Sequence, residues 1–171
     1  MKIAIIGYSG SGKSTLARRL GKHYQCEVLH LDSIHLAETW VERSDEEMIA
    51  DAAAFMEKDG WIIDGNYSRV LQKQRFSDAD RIIFMNFNRF ACLARVCRRY
   101  GVYRGTRRPD MAEGCSEKLD FEFIRWILWE GRTAKMRARY RNTAETYPDK
   151  ITVLRNQREL DSFMKELGIE T

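Results

Sequence analysis

The residues Gly7-Tyr8-Ser9-Gly10-Ser11-Gly12-Lys13-Ser14 follow directly on the apolar run Ile3-Ala4-Ile5-Ile6. The pattern is G-x-x-x-x-G-K-[S/T], and its context is the one that gives it physical meaning. A short β-branched run enters it, and the apolar-periodic stretch Leu16, Ala17, Leu20 leaves it as a helix. The glycines let successive backbone N–H groups turn inward around a phosphate, and the helix start adds its own unsatisfied N–H groups and dipole. Lys13 offers a mobile point charge to the outer phosphates and Ser14 a hydroxyl to Mg²⁺. The candidate nucleotide-binding residues are therefore Gly7, Ser9, Gly10, Ser11, Gly12, Lys13, Ser14 and Thr15, the last acting at the α-phosphate. Nothing in the pattern keeps the Tyr8 and Ser11 side chains from facing solvent. A nucleoside triphosphate with Mg²⁺ is the expected ligand.

A strand feeding a loop and a helix is the first unit of an alternating α/β chain, and the rest of the sequence continues it. Residues 2–6, 26–29, 61–64, 81–87 and 150–154 are short, almost wholly apolar runs, as expected of parallel strands covered on both faces. Helical patterns fill the gaps. One runs from the loop to Gly21. A second covers 45–58, with Ser44 and Glu47 spaced as a capping box. Others cover 89–100, 116–131, 133–146 (nearly continuous with the preceding one) and 157–167, the last stopped by Gly168. With right-handed crossovers this is a three-layer α/β domain. Its 171 residues suffice for one domain, 1–171.

No apolar run approaches a membrane span, and Met1-Lys2-Ile3 enters the first strand with no secretory segment, which predicts a cytoplasmic chain. Cys26, Cys92, Cys97 and Cys115 lack zinc-like spacing and are expected as reduced core or helix-face thiols. Between residues 88 and 141, twelve Arg and two Lys face six Asp and Glu, an excess of eight positive charges. That excess suits either nucleic acid or a cluster folding over polyphosphate. The absence of a recognisable base-reading element favours the second.

The carboxyl ends of parallel strands are where ligands sit. Asp64 ends the third strand and is the candidate second metal group beside Ser14. Asp32 follows the second strand and is placed to orient or deprotonate an acceptor hydroxyl. His35, Trp40, Asn66 and Arg69 are the other candidate acceptor-binding residues, whereas His30 reads as a structural group. Arg95 and Arg99 share a helix face beside the segment 101–114, which lacks apolar periodicity and reads as a flap. Guanidinium groups there can clamp charge developing between donor and acceptor oxygens. Arg132, Arg137, Arg139 and Arg141 are ambiguous between this role and solvent. Trp126 and Trp129 read as core or flap-packing residues.

Taken together, the stretches I-A-I-I-G-Y-S-G-S-G-K-S-T-L-A-R (3–18), W-I-I-D-G-N-Y-S (61–68), T-R-R-P-D-M-A-E-G-C (106–115) and Asn156-Gln157-Arg158-Glu159-Leu160 resemble nucleoside monophosphate kinases and their relatives, adenylate and shikimate kinases included. Closer still is the resemblance to the bacterial adenylate-kinase-related proteins called DNA topology modulation, or FlaR-like, proteins. The resemblance implies a P-loop NTPase fold of nucleoside-monophosphate-kinase type, with a five-stranded parallel sheet of order 2-3-1-4-5. It implies an acceptor-binding region at about 33–60 and a lid at about 101–115. It implies ATP-dependent phosphoryl transfer with Mg²⁺ to a nucleotide or other small acceptor. Lys13, Arg95, Arg99, Asp32 and Arg137 would be the catalytic groups, and Asn156 would border the adenine. Residues 33–60 hold only Arg43 and one helix, and Asp64-Gly65 is followed by Asn66-Tyr67-Ser68 rather than Phe-Pro-Arg. Those departures leave the acceptor open. The alternative is a nucleotide-dependent regulatory or nucleic-acid-associated ATPase.

Overall fold

The computed structural model describes residues 1–35, 43–103 and 119–169. Trp40 and most of the expected lid, with Arg104, Arg107, Arg108 and Cys115, lie outside the described residues. Five strands form one parallel sheet: β1 (Lys2–Gly7), β2 (Glu27–His30), β3 (Trp61–Asp64), β4 (Arg81–Met85) and β5 (Ile151–Leu154). Their spatial order is β2-β3-β1-β4-β5, the expected order 2-3-1-4-5. The three inner strands are buried almost throughout, which is why they read as continuous apolar runs rather than alternating ones. Fully burying an isoleucine such as Ile5, Ile62 or Ile83 contributes roughly 1.5–3 kcal/mol.

The helices are α1 (Lys13–Tyr24), α2 (Leu31–His35), α3 (Asp45–Met56), α4 (Gln72–Asp78), α5 (Arg89–Tyr103), α6 (Phe121–Leu128), α7 (Ala134–Thr146) and α8 (Gln157–Glu166). They complete a three-layer α/β fold around the sheet. The capping box at α3 forms as expected: the Glu47 N–H donates to Ser44 Oγ, and the Glu47 carboxylate accepts from the Ser44 N–H.

Three expectations need correction. The flap was expected to begin at Gly101, but α5 continues through Tyr103. The helix expected over 116–131 begins only at Phe121, where Asp120 caps it, and ends at Leu128. A 3-10 turn at Glu130–Arg132 then separates it from α7, because Trp129 leaves helical geometry (φ −133°, ψ −61°). Trp126 and Trp129, expected as core or flap-packing residues, are not core, being 43% and 58% exposed; the flap of the other reading lies mostly outside the described residues. Among the described residues, no helix is long and apolar enough to cross a membrane. The described cysteines, Cys26, Cys92 and Cys97, are free thiols.

Candidate phosphate loop and acceptor side

The loop between β1 and α1 lies at the carboxyl end of the central strand, where neighbouring backbones crowd it. A Cβ on Gly10 would stand 2.7 Å from both the Cys92 carbonyl oxygen and Val96 Cγ2, so the loop lies directly on α5. The Ser11 N–H donates to the Tyr8 carbonyl (3.1 Å) and closes a turn. Gly12, in the left-handed region, begins α1 without a side-chain cap, and no acidic residue occupies the first turn. The open helix start and its dipole therefore have no protein anion beside them in that turn. Lys13 Nζ donates to the Tyr8 carbonyl (3.3 Å), which holds the ammonium over the loop. Ser14 is half-buried and Thr15 exposed, both in the first turn of α1.

Tyr8 and Ser11 do not face solvent. Ser11 is fully buried, and its hydroxyl has no protein partner. Tyr8 packs edge-on against Tyr140 (5.2 Å between centroids), which stacks on Phe84 (4.4 Å). The Arg132 guanidinium lies over the Tyr8 ring, 3.7 Å from its centre. Burial raises the Tyr8 and Tyr140 pKa values, so both phenols remain neutral near pH 7. Arg132 also donates to the carbonyls of Ile127 (3.1 Å) and Phe87 (2.8 Å) and to Cys92 Sγ (3.3 Å). Arg132 is thus a structural pin beneath the loop. Trp126 touches the loop from α6, its indole N–H donating to Ser9 Oγ (3.3 Å).

Arg95 reaches the loop from α5. Its guanidinium donates to the Ser11 carbonyl and to the Gln157 side-chain carbonyl, and lies 4.1 Å from the centre of the Phe87 ring. Burial lowers its pKa from the usual arginine value. Arg99, one helical turn along, is half-buried. Arg137, on α7, is exposed, and its charge reaches the Tyr8 phenol. Asn156 caps α8, its side-chain oxygen accepting from the Glu159 N–H (2.9 Å) and its amide donating to the Glu159 carboxylate (3.0 Å).

On the other side of β1, Asp64 is 3% exposed and lies opposite His30 in register. Its Oδ2 is 3.1 Å from His30 Nδ1, and its Oδ1 is a buried oxygen without a protein partner. An orphaned hard oxygen at a strand's carboxyl end suits Mg²⁺, which takes one or two protein oxygens and leaves the rest to water and substrate phosphates. Asp64 therefore fits the ion chemically, and Ser14 offers a hydroxyl from the first turn of α1. Among the described residues, no three His, Cys, Asp or Glu side chains converge to form a self-sufficient metal cage.

Asp32 is exposed on the short helix α2, and His35 ends that helix. Arg69 is largely exposed and pairs with Asp45 (3.0 Å). Asn66 uses both ends of its amide on the backbone of Gly7.

The residue that sequence reasoning missed here is Arg75. It is fully buried on α4, donating to the carbonyls of Val70 (2.8 Å) and Tyr67 (2.7 Å). Burial, aided by the nearby Arg139 charge, pushes its pKa down to about 10, which still leaves it charged at neutral pH. Arg139 donates to Gln72 Oε1 (3.3 Å) and to the Asn66 carbonyl (3.5 Å).

Several solved structures share this fold. Shikimate kinase from Acinetobacter baumannii, in complex with shikimate, superposes with a TM-score of 0.55 at 16% identity, over 98% of this chain and 93% of that one. Deoxyadenosine kinase from M. mycoides with bound dATP gives 0.53 at 15%, over 98% and 100%. A gluconokinase from Sinorhizobium meliloti 1021 gives 0.52 at 13%, over 97% and 88%. The chain has the fold of small P-loop kinases. No protein-family model matches the chain, and no curated protein matches it.

Proposed function

We propose that this chain transfers the terminal phosphoryl group of ATP to a small acceptor bearing a hydroxyl or phosphate oxygen. The observation that carries the reading is the glycine loop at the end of β1, with an uncapped helix start, the Lys13 ammonium and the Arg95 guanidinium around it. Such a site binds polyphosphate through backbone N–H groups and cations. In the reaction, the acceptor oxygen forms a bond to the γ-phosphorus as the bond to ADP breaks. The acceptor proton, where there is one, passes to Asp32 or to water. Lys13, Arg95, Arg99 and Arg137 neutralise the charge that develops on the shared oxygens. Ser14 and Asp64 are the residues that would hold Mg²⁺, which when bound neutralises the donor phosphates.

The acceptor side is read from Asp32, His35, Trp40 and Arg69, around the region 33–60; Asn66, expected there, has its amide engaged by the Gly7 backbone. The resemblance to DNA topology modulation proteins rests on the sequence stretches alone and names no acceptor. Solved structures of this fold include kinases named for deoxyadenosine, gluconate and shikimate, so neutral and anionic hydroxy compounds belong with nucleoside monophosphates among the candidates. The test is a transfer screen with γ-labelled ATP and Mg²⁺ against those compounds, with Lys13→Ala as the blank. Labelled product that requires both acceptor and Lys13 is the expected result. Acceptor-independent hydrolysis as the sole turnover would favour the regulatory ATPase. No Lys13-dependent turnover at all would defeat both.

A further inference from the structure

In a parallel sheet, the N–H and C=O of one residue point to the same neighbouring strand, and the next residue points to the other side. The Gly65 N–H donates to the Ile5 carbonyl (3.1 Å), so Ile5 faces β3. The Tyr8 N–H donates to the Met85 carbonyl (3.4 Å), so Tyr8 faces β4. Gly7 lies between them in the alternation and faces the β3 side. There β3 has already ended: its pairing with β1 stops at Asp64 opposite Ile5, and Gly65, at φ +145°, turns the chain away. A side chain cannot replace that glycine, because its Cβ would fall 2.7 Å from Leu31 Cβ.

Asn66 fills the missing place. Its side-chain oxygen accepts from the Gly7 N–H (3.0 Å), and its amide nitrogen donates to the Gly7 carbonyl (2.7 Å). A primary amide carries one acceptor and two donors in a plane, much as a backbone segment presents C=O and N–H. Asn66 thus extends the β3 edge by one residue using its side chain. Its own backbone is anchored in turn, with Arg139 on its carbonyl and buried Arg75 on the carbonyls of Tyr67 and Val70. Gly7 is the first residue of the phosphate loop, so this clamp fixes the angle at which β1 enters the loop.

Resting on the phosphotransfer reading above, we infer that Asn66 is a positioning residue for the donor phosphates, acting through Gly7. Asp80 provides a matched control: its carboxylate accepts from the Lys2 N–H (2.7 Å), an equivalent side-chain bond to β1 at the strand's opposite end. The experiment measures MgATP affinity by calorimetry and amide exchange at Gly7 for Asn66→Ala, Asn66→Asp, Asp80→Ala and wild type. Aspartate nearly keeps the shape but sets a second acceptor against the Gly7 carbonyl. Both Asn66 variants should lose about tenfold or more in affinity and expose Gly7 to faster exchange, a loss of roughly 1.4 kcal/mol per tenfold. Asp80→Ala should stay within about twofold of wild type. If an Asn66 variant does not fold, Asn66→Ser takes its place.

Unchanged affinity or unchanged Gly7 exchange in the Asn66 variants overturns the inference, as does an equal affinity loss in Asp80→Ala. If wild-type protein binds no MgATP, the phosphotransfer reading fails, and Gly7 exchange alone decides the clamp: faster exchange supports it and unchanged exchange overturns it.

Discussion

Lys13 shows what a single cation at a helix start is asked to do. Its ammonium rests on the Tyr8 carbonyl, 3.3 Å away, and needs only to exchange one oxygen for another to meet a phosphate. Lys13→Ala removes that charge without touching the core. Phosphoryl transfer should fall by about 10²-fold or more, while far-UV circular dichroism stays as in the wild type. Arg75 is the opposite case, a cation with a structural task. It is fully buried and bridges two carbonyls of the segment that follows Asn66. Arg75→Met fills much of the space but leaves the Val70 and Tyr67 carbonyls without that donor. Each abandoned buried acceptor costs about 1–3 kcal/mol. A loss of roughly 2–4 kcal/mol in stability is expected, read as a lower urea midpoint, with the m-value unchanged if the denatured state is unaffected. The place of Lys13 at the loop was legible in the sequence because the pattern that sets it there is written in adjacent residues. Arg75 was not, since what buries it is a pair of carbonyls presented by a loop whose path no local pattern specifies. Asn66 was read as a ligand-facing residue for a related reason: its partner, Gly7, lies far away in the chain and offers only backbone.

Among the elements, α6 is the one that couples the outer surface to the phosphate loop. Its N-cap, Asp120, sets the helix, and its Trp126 indole donates to Ser9 Oγ while remaining partly exposed. If the proposed function holds, nucleotide phosphates entering the loop change the polarity around that indole. Trp126→Phe should therefore abolish most of the change in tryptophan emission on adding MgATP, whereas Trp129→Phe should retain it. An equal effect of the two substitutions would separate α6 from the loop. The elements were legible to the degree that burial was uniform. β1, β3 and β4 read as strands because both faces of each are covered, and α3 announced its start through Ser44 and Glu47. α4 went unread because its seven residues are too few for a periodic signal. The 116–131 pattern overran because Phe121, Ile124, Ile127 and Leu128 keep helical spacing up to the point where Trp129 breaks away, and backbone geometry there leaves no trace in hydropathy.

At the scale of the whole molecule, a ligand that binds only the folded chain must raise its melting temperature by mass action. At about 100 times its Kd, MgATP should add about 2.7 kcal/mol of apparent stability to the wild type and much less to Lys13→Ala. A thermal shift of equal size in both proteins would place the nucleotide elsewhere. The sheet order carries a further consequence, for assembly. β1 lies in the middle, yet it precedes both of its neighbours in the chain; they arrive only at Trp61–Asp64 and Arg81–Met85, and the last edge closes at Ile151–Leu154. The central ladder must wait for partners distant in sequence, a topology that slows refolding and prolongs the exposure of sticky intermediates. Truncation before residue 151 would strip the cover from Ile82, Phe84 and their neighbours on β4 and convert an interior strand into an open apolar margin. The same arrangement that places the loop at the heart of the sheet leaves a chain arrested short of β5 prone to self-association, a liability readable by light scattering of the truncated protein.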